Sequence, residues 1–440
     1  MVEEVHGTRV LTLSHSLVEV AAGRVKAKTL RSDLRIGGGE DLWFGSVADV
    51  AVLPDGRFAV FDRMEKQILL FDAAGSPVRR IGREGDGPGE FKAPWALEAV
   101  GGVLVAWQDS PSRTFTVFDT TGKVVATSGA AVPGGWHRLA YRQPTTRVYG
   151  PRDQRGPEDV TRRLVALGDS GFVHLIQFNE LDSLDIRNPR SFPSPPAHLI
   201  RYGLDATVRD TLATVSGTAT EAWLPAPVPG GYPLYAQPLY SGRPVWTIGD
   251  GWYAVGHGDS SSISVRWFAG APDLVVRLPG ERTEITFDDR IHGAKWLNAH
   301  QALNSSWSRN LLETASAKGI EEGMREDARN NPFARYAPTV TALFGYANCL
   351  FASGFSPSDW HDGTSMVLVV IDVERGAIDD VIRLPRPAGT PMPLDRHGAA
   401  VVEIAHGYAF TTYRDYDGVF FVERVPLPDL SCDDGAKRSP

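Results

Sequence analysis

Residues 70–91 read LFDAAGSPVRRIGREGDGPGEF, and their first half returns one unit later in the chain. Leu70-Phe71-Asp72-Ala73-Ala74-Gly75 is matched by Val117-Phe118-Asp119-Thr120-Thr121-Gly122. Phe71 and Phe118, Gly75 and Gly122, and Gly82 and Gly129 are each 47 positions apart. Inside the unit, short apolar runs alternate with Gly- and Asp-rich turns, the pattern of antiparallel strands. A fixed period of about 40–50 residues built from strands and turns marks one blade of a radial array of sheets. A single blade cannot bury both its faces, so the unit must recur around a closed ring.

Working outward, blade 1 runs from about Val47 to Gly82 with its first turn at Asp55-Gly56, and blade 2 from Trp95 to Gly129 with a turn at Gly101-Gly102. Later hairpins follow at Gly168 to Gly171, Asp250-Gly251, Val340 to Phe351 and His406-Gly407. Six inner hairpins predict six blades; a seventh would require residues 138–150 to form another. At the amino end Arg35-Ile36-Gly37 repeats Arg80-Ile81-Gly82. Leu34 to Ile36 is therefore expected to supply the outer strand beside Val419 to Pro426, closing the ring and removing two free sheet edges. Residues 8–20, TRVLTLSHSLVEV, alternate like one half-buried strand. A single domain over residues 1–430 follows, with a polar tail at 431–440. A helical insertion is expected over about 286–332, where Trp296, His300, Leu303, Trp307 and Leu311 share one face.

Hydrophobic content of 42% and charged content of 22% describe a soluble folded chain. No run reaches the roughly 18 apolar residues of a membrane span. A net charge of −8 without any Lys/Arg cluster argues against a nucleic-acid partner. Cys349 lies in an apolar run and reads as a small buried hydrophobe; Cys432 lies in the polar tail. The sequence permits a disulfide between them without calling for one, and no metal-ligand spacing or cofactor motif occurs. The opening MVEEVHGTRV lacks the layout of a signal peptide, which read literally keeps the chain in the cytoplasm.

With the repeat, the Asp-Gly hairpins and Gly82-Arg83-Glu84-Gly85-Asp86-Gly87-Pro88-Gly89-Glu90-Phe91 in view, the chain resembles bacterial six-bladed β-propeller proteins of the NHL-repeat-like kind. Such a Gly-rich GPGEF loop commonly leads from one blade to the next in that family. The likeness is strongest over about residues 34–130 and continues by pattern to residue 426. It implies an all-β ring of four-stranded blades, a helical insertion before the fifth blade, and export to the periplasm or cell envelope. It implies no activity.

The long insertions at residues 130–163, 179–198, 279–339 and 353–367 all fall on one rim of such a ring, the usual place of a binding face. Residues leading into inner strands there are Trp95, His137 with Arg138, Tyr232, Tyr336, and Arg396 with His397. Such aromatic, imidazole and guanidinium groups suit an anionic or aromatic ligand, or else they plug the channel. Trp296, His300 and Trp307 would form a lid, a partner dock, or a stripe packed on the propeller itself. Gly168-Asp169-Ser170-Gly171 is expected to be a hairpin turn, not a nucleophile site. Gly85 to Gly89 lacks the following helix of a phosphate cradle, and Asp415 to Gly418 reads as a turn.

The expected function is a non-catalytic binding or assembly module, without cofactor or metal, that offers its elaborated face to a protein or a small ligand. The competing class is a lactonase-like, metal-dependent hydrolase or lyase in the central channel. Only Asn348 among the Asn residues falls in an expected strand, and a His-rich zinc set would need His361 from a different kind of loop to join His137 and His397.

Overall fold

Each inner hairpin is apolar on both faces, because a blade is sandwiched between two neighbours and has no solvent side near the axis. Phe58–Asp62 and Cys349–Ser353 are accordingly buried at every position. The computed structural model describes residues 2–39, 42–108, 114–129, 163–177, 196–217, 221–224, 234–236, 242–280, 282–291, 334–355, 365–385, 400–414 and 419–433, with a few positions between 322 and 329.

Six sheets, each with a four-stranded antiparallel core, succeed one another along the chain. Their inner strands are Val47–Val52, Pro94–Val100, Leu164–Leu167, Pro244–Gly249, Ala342–Tyr346 and Ala400–Ala405, for blades 1 to 6. The protein is thus an all-β six-bladed propeller. Leu34–Ile36 pairs with Val422–Arg424 and completes blade 6, as the Arg-Ile-Gly repeat predicts. Residues 138–150, which a seventh blade would need, lie outside the described residues.

The segment before that closing strand does more than the sequence pattern shows. Val2–Val5 and Thr8–Thr12 form a hairpin, and Thr8–Thr12 extends blade 4 in parallel beside Leu274–Arg277. Lys28–Thr29 extends blade 5 beside Ile382–Arg383. Between them Leu17–Ala21 is a short helix that buries Leu17, Val20 and Ala21. The single strand expected over residues 8–20 is therefore a strand followed by a helix. Ser16 and Glu19 decide the change: Ser16 Oγ accepts the Glu19 N–H at 3.2 Å, and Glu19 Oε2 accepts the Ser16 N–H at 3.0 Å. This reciprocal capping box ends the alternation and starts a helix. Residues 2–36 thus form a belt across the outer edges of blades 4, 5 and 6.

The second correction concerns the cysteines. Cys349 is not an unpaired hydrophobe; it forms a disulfide with Cys432. The tail is delivered to it by Asp379, which accepts the Ser431 N–H at 2.8 Å, and by Asn348, whose N–H donates to the Cys432 carbonyl at 3.2 Å. The bond staples the chain end after blade 6 onto blade 5, across a sequence separation of 83 residues. Replacing both cysteines by serine is expected to cost about 3 kcal/mol, because a long loop regains its freedom in the unfolded chain. A denaturant titration of the variant reads this as a lowered midpoint with a normal slope.

Among the described parts of the insertion, Thr286 caps a helix that begins over residues 287–291, with Thr286 Oγ1 accepting the Asp289 N–H at 3.2 Å. Ile291 packs on Ala328 from its far end. Trp296, His300 and Trp307 lie outside the described residues.

Candidate functional site

Blade order puts the loops between second and third strands on the same rim as those joining successive blades. At blades 1 and 2 this rim is organised by Asp62, whose carboxylate is buried. It accepts the N–H groups of Gly45 at 2.8 Å, Ser46 at 3.1 Å, Met64 at 3.0 Å and Glu65 at 3.2 Å, tying two loops together. Arg63 is thereby held with its guanidinium 3.8 Å from the ring of Trp95, at the start of the blade 2 inner strand. Beside it Trp43 is 52% exposed and Met64 64% exposed, both large apolar groups. Tyr336 lies on the connection into blade 5, its ring 4.9 Å from the guanidinium of Arg282 and 5.1 Å from that of Arg335. His137, Arg138, Tyr232, Arg396 and His397 lie outside the described residues, as does Asp415 to Gly418.

The GPGEF loop is explained by packing. Phe91 is wedged between blades 1 and 2, its ring 4.8 Å from Phe61 and 5.8 Å from Phe118. A side chain at Gly82 would strike that ring, and the φ of +80° there favours glycine. Glu90 accepts the Gly87 N–H and the Arg83 Nε–H, each at 2.8 Å, and these bonds hold its carboxyl below the usual range. One loop amide is thus spent on Glu90. Gly168-Asp169-Ser170-Gly171 likewise forms the expected turn between paired strands.

The residues that sequence reasoning missed line the axis. Asp49, Glu98 and Glu403 stand within the inner strands of blades 1, 2 and 6, and Arg163 immediately precedes that of blade 3. An inner strand is a free edge on its axial side, so some of its N–H groups lack ladder partners. The three acids fill that need. Asp49 accepts the N–H groups of Val50 and of Leu97 in the next blade, both at 2.9 Å. Glu98 Oε1 accepts from Ala99 at 2.9 Å, and Glu403 Oε1 from Ile404 at 3.0 Å. Arg163 donates from Nη1 to the Leu343 carbonyl of blade 5 at 2.8 Å and lies 4.8 Å from the Phe344 ring, so it spans the channel.

Burial pushes the carboxyls of Asp49 and Glu403 up to about 7, against the partial relief given by Arg163. Glu98 is raised well above the ordinary range by burial and then by the charge of Glu403. Asp49 and Glu403 nonetheless keep partial solvent access. The sequence signal was a single acid inside each apolar inner strand: VADVAV, PWALEAV and AVVEIA. Among the described residues no three acidic, imidazole or thiol groups come close enough together to hold a metal ion.

Fold and channel together define a six-bladed propeller with a charged axis. Residues 39–95 match the DUF5128 family, described as a 6-bladed beta-propeller. No curated protein matches the chain. Solved structures similar to it include a putative exported protein from Bacteroides fragilis at 9% identity, with 96% of this chain and 100% of that chain covered and a TM-score of 0.42. A member of the DUF4221 family from Bacteroides vulgatus is 9% identical, with 90% and 97% covered and a TM-score of 0.45. A streptogramin B lyase is 9% identical, with 90% and 98% covered and a TM-score of 0.37.

Proposed function

We propose that this chain is a non-catalytic binding module that presents its loop-bearing rim to a partner protein. The observation that carries the reading is the rim patch at blades 1 and 2. Trp43 and Met64 stand exposed on loops that Asp62 holds rigid, next to an arginine already stacked on Trp95. Rigid aromatic anchors with a guanidinium neighbour are the groups that dominate protein interfaces. The Cys349–Cys432 disulfide supports residence in an oxidising compartment, since such bonds persist chiefly outside the cytosol.

The test is a double variant, Trp43→Ala with Met64→Ala, compared with the parent in quantitative co-purification from gentle lysates. Both side chains are exposed, so the thermal midpoint should stay within a degree or two. At least one partner should fall about tenfold or more, the usual cost of losing a central anchor. Unchanged recovery of every partner by a folded variant defeats the reading.

A second reading, a hydrolase or lyase in the channel, is favoured by the carboxyls titrating near neutrality, as a general acid or base must. Zinc or calcium retained stoichiometrically through dialysis would favour its metal-dependent form.

A further inference from the structure

A strand at the outer edge of a blade leaves a row of N–H and C=O groups unpaired, ready to take a strand from another chain. The outer edges of this ring differ in how they are finished. Thr8–Thr12 lies along blade 4 and Lys28–Thr29 along blade 5. On blade 6 the Arg35 guanidinium lies over the rings of Tyr413 and Phe421, at 5.1 and 4.0 Å. On the outer strand of blade 3, Val208–Ser216, Arg209 pairs with Asp205 and Asp210 with Arg201. The outer strand of blade 2, Val124–Gly129, bears no charge.

Two edges stand apart. Pro77–Ile81 is the last strand of blade 1, and Val2–Val5 is the last strand beyond blade 4; neither has a further strand beside it among the described residues. Arg79 and Arg80 are exposed on the first, and Glu3 and Glu4 on the second. None of these four charges makes an ion pair or a side-chain hydrogen bond with the described residues. Arg9 stands across from Glu4, yet its guanidinium donates to the Glu374 carbonyl at 2.6 Å. Like charges keep either strand from pairing with its own copy, because each would face its own sign. Against each other the two strands match. Val2–Val5 laid antiparallel to residues 78–81 sets Glu3 opposite Arg80 and Glu4 opposite Arg79. Successive side chains of a strand point to opposite faces, so one acid meets one base on each face of the sheet. Val2, Val5, Val78 and Ile81 flank the charged pairs.

Within one molecule the two edges cannot meet. The inner strands touch in blade order all the way round the ring, which sets blades 1 and 4 on opposite sides. A second copy is free of that limit. We propose that Val2–Val5 of one copy adds to the edge of Pro77–Ile81 of another, a surface separate from the rim around Trp43 and Met64. Two copies so joined still offer one unused edge of each kind. The contact therefore does not close on itself, and rings join head to tail in a row. The bulge opposite Phe71 ends the regular ladder at Arg79, so the pairing is short and its strength rests on the charges.

The experiment is sedimentation velocity of the full chain up to about 0.5 mM protein, a range suited to a small interface. Sodium chloride is set at about 20 mM and at about 0.5 M, on either side of the screening of exposed ion pairs. In dilute salt the mean mass is expected to grow with concentration past that of a dimer, and in concentrated salt to fall back to the monomer. Glu3→Lys with Glu4→Lys, and separately Arg79→Glu with Arg80→Glu, should each weaken association about tenfold or more, since two attractions become two repulsions. An equimolar mixture of the two variants should restore it, because each finds opposite charges only on the other. Misfolding cannot produce that restoration, so the mixture decides even where one variant is less stable. Trp43→Ala with Met64→Ala should associate as the parent does. A monomer at every concentration, growth that stops at a dimer, association that neither charge reversal weakens, a mixture that stays monomeric, or loss of association in the rim variant overturns the proposal.

Discussion

A chain shortened to begin at Gly39 is expected to lose its cooperative unfolding transition altogether. The segment removed holds Leu11, Leu13, Leu17, Val20, Leu30 and Ile36, each no more than 7% exposed, in three of the six blades. At about 1.5–3 kcal/mol for each buried aliphatic side chain, the loss is on the order of 10 kcal/mol. That is comparable with the whole stability of an ordinary domain. The loss is also topological, because Leu34–Ile36 is the rung that stops Phe420–Pro426 from being an open edge. Asp33 fixes that rung by accepting two bonds from Arg424, at 3.0 and 2.9 Å, and Arg35 lies 4.0 Å from the Phe421 ring. Calorimetry of the shortened chain tests the expectation. A single transition with undiminished enthalpy would show that the belt decorates a ring already closed. Gly38→Ala probes the same junction more gently. Its φ is +71° and a Cβ there would lie 2.2 Å from the Phe421 ring, so a clear fall in midpoint is expected without loss of the fold.

The amino-terminal belt also shows what a period can and cannot reveal. The 47-residue repeat finds blades, because each blade must offer the same faces to its neighbours, and it finds Leu34 to Ile36 because that strand is a displaced copy of Pro77–Ile81. Thr8–Thr12 and Lys28–Thr29 are additions to finished sheets, so no repeat encodes them. Their placement is set by long-range packing, for which Ser16 and Glu19 gave only a local hint. Cys349 has apolar neighbours in the sequence, yet its partner reaches it from 83 residues away through Asp379. At the site, the loop positions legible in the sequence include Trp95 and Tyr336, which the structure places at separate blade junctions. In the sequence each axial acid looks like one polar interruption of a strand. Only closure of the ring brings three of them to a common centre.

That convergence sets the second large effect, a stability that falls as pH rises. The carboxyls of Asp49 and Glu403 titrate near 7 when folded, and Glu98 higher than usual, whereas in the unfolded chain they titrate near 4. Between about pH 4 and pH 7 the folded protein therefore binds more protons than the unfolded chain, and its stability declines through that window. Each tenfold gain in a carboxyl's proton affinity on folding corresponds to about 1.4 kcal/mol, so even with channel water screening part of it, several kcal/mol separate pH 5 from pH 8. Glu98→Gln with Glu403→Gln removes two of the three charges and keeps both acceptor oxygens for Ala99 and Ile404. The variant should be more stable than the parent at pH 8 by about 2 kcal/mol or more, with the advantage gone near pH 5. Arg163→Gln should do the reverse at pH 8, since it takes away the cation facing all three acids. Urea midpoints at the two pH values measure both effects. A parent midpoint that does not change between them would mean the carboxyls are solvated like surface groups, and the axis would then be a water column without electrostatic strain.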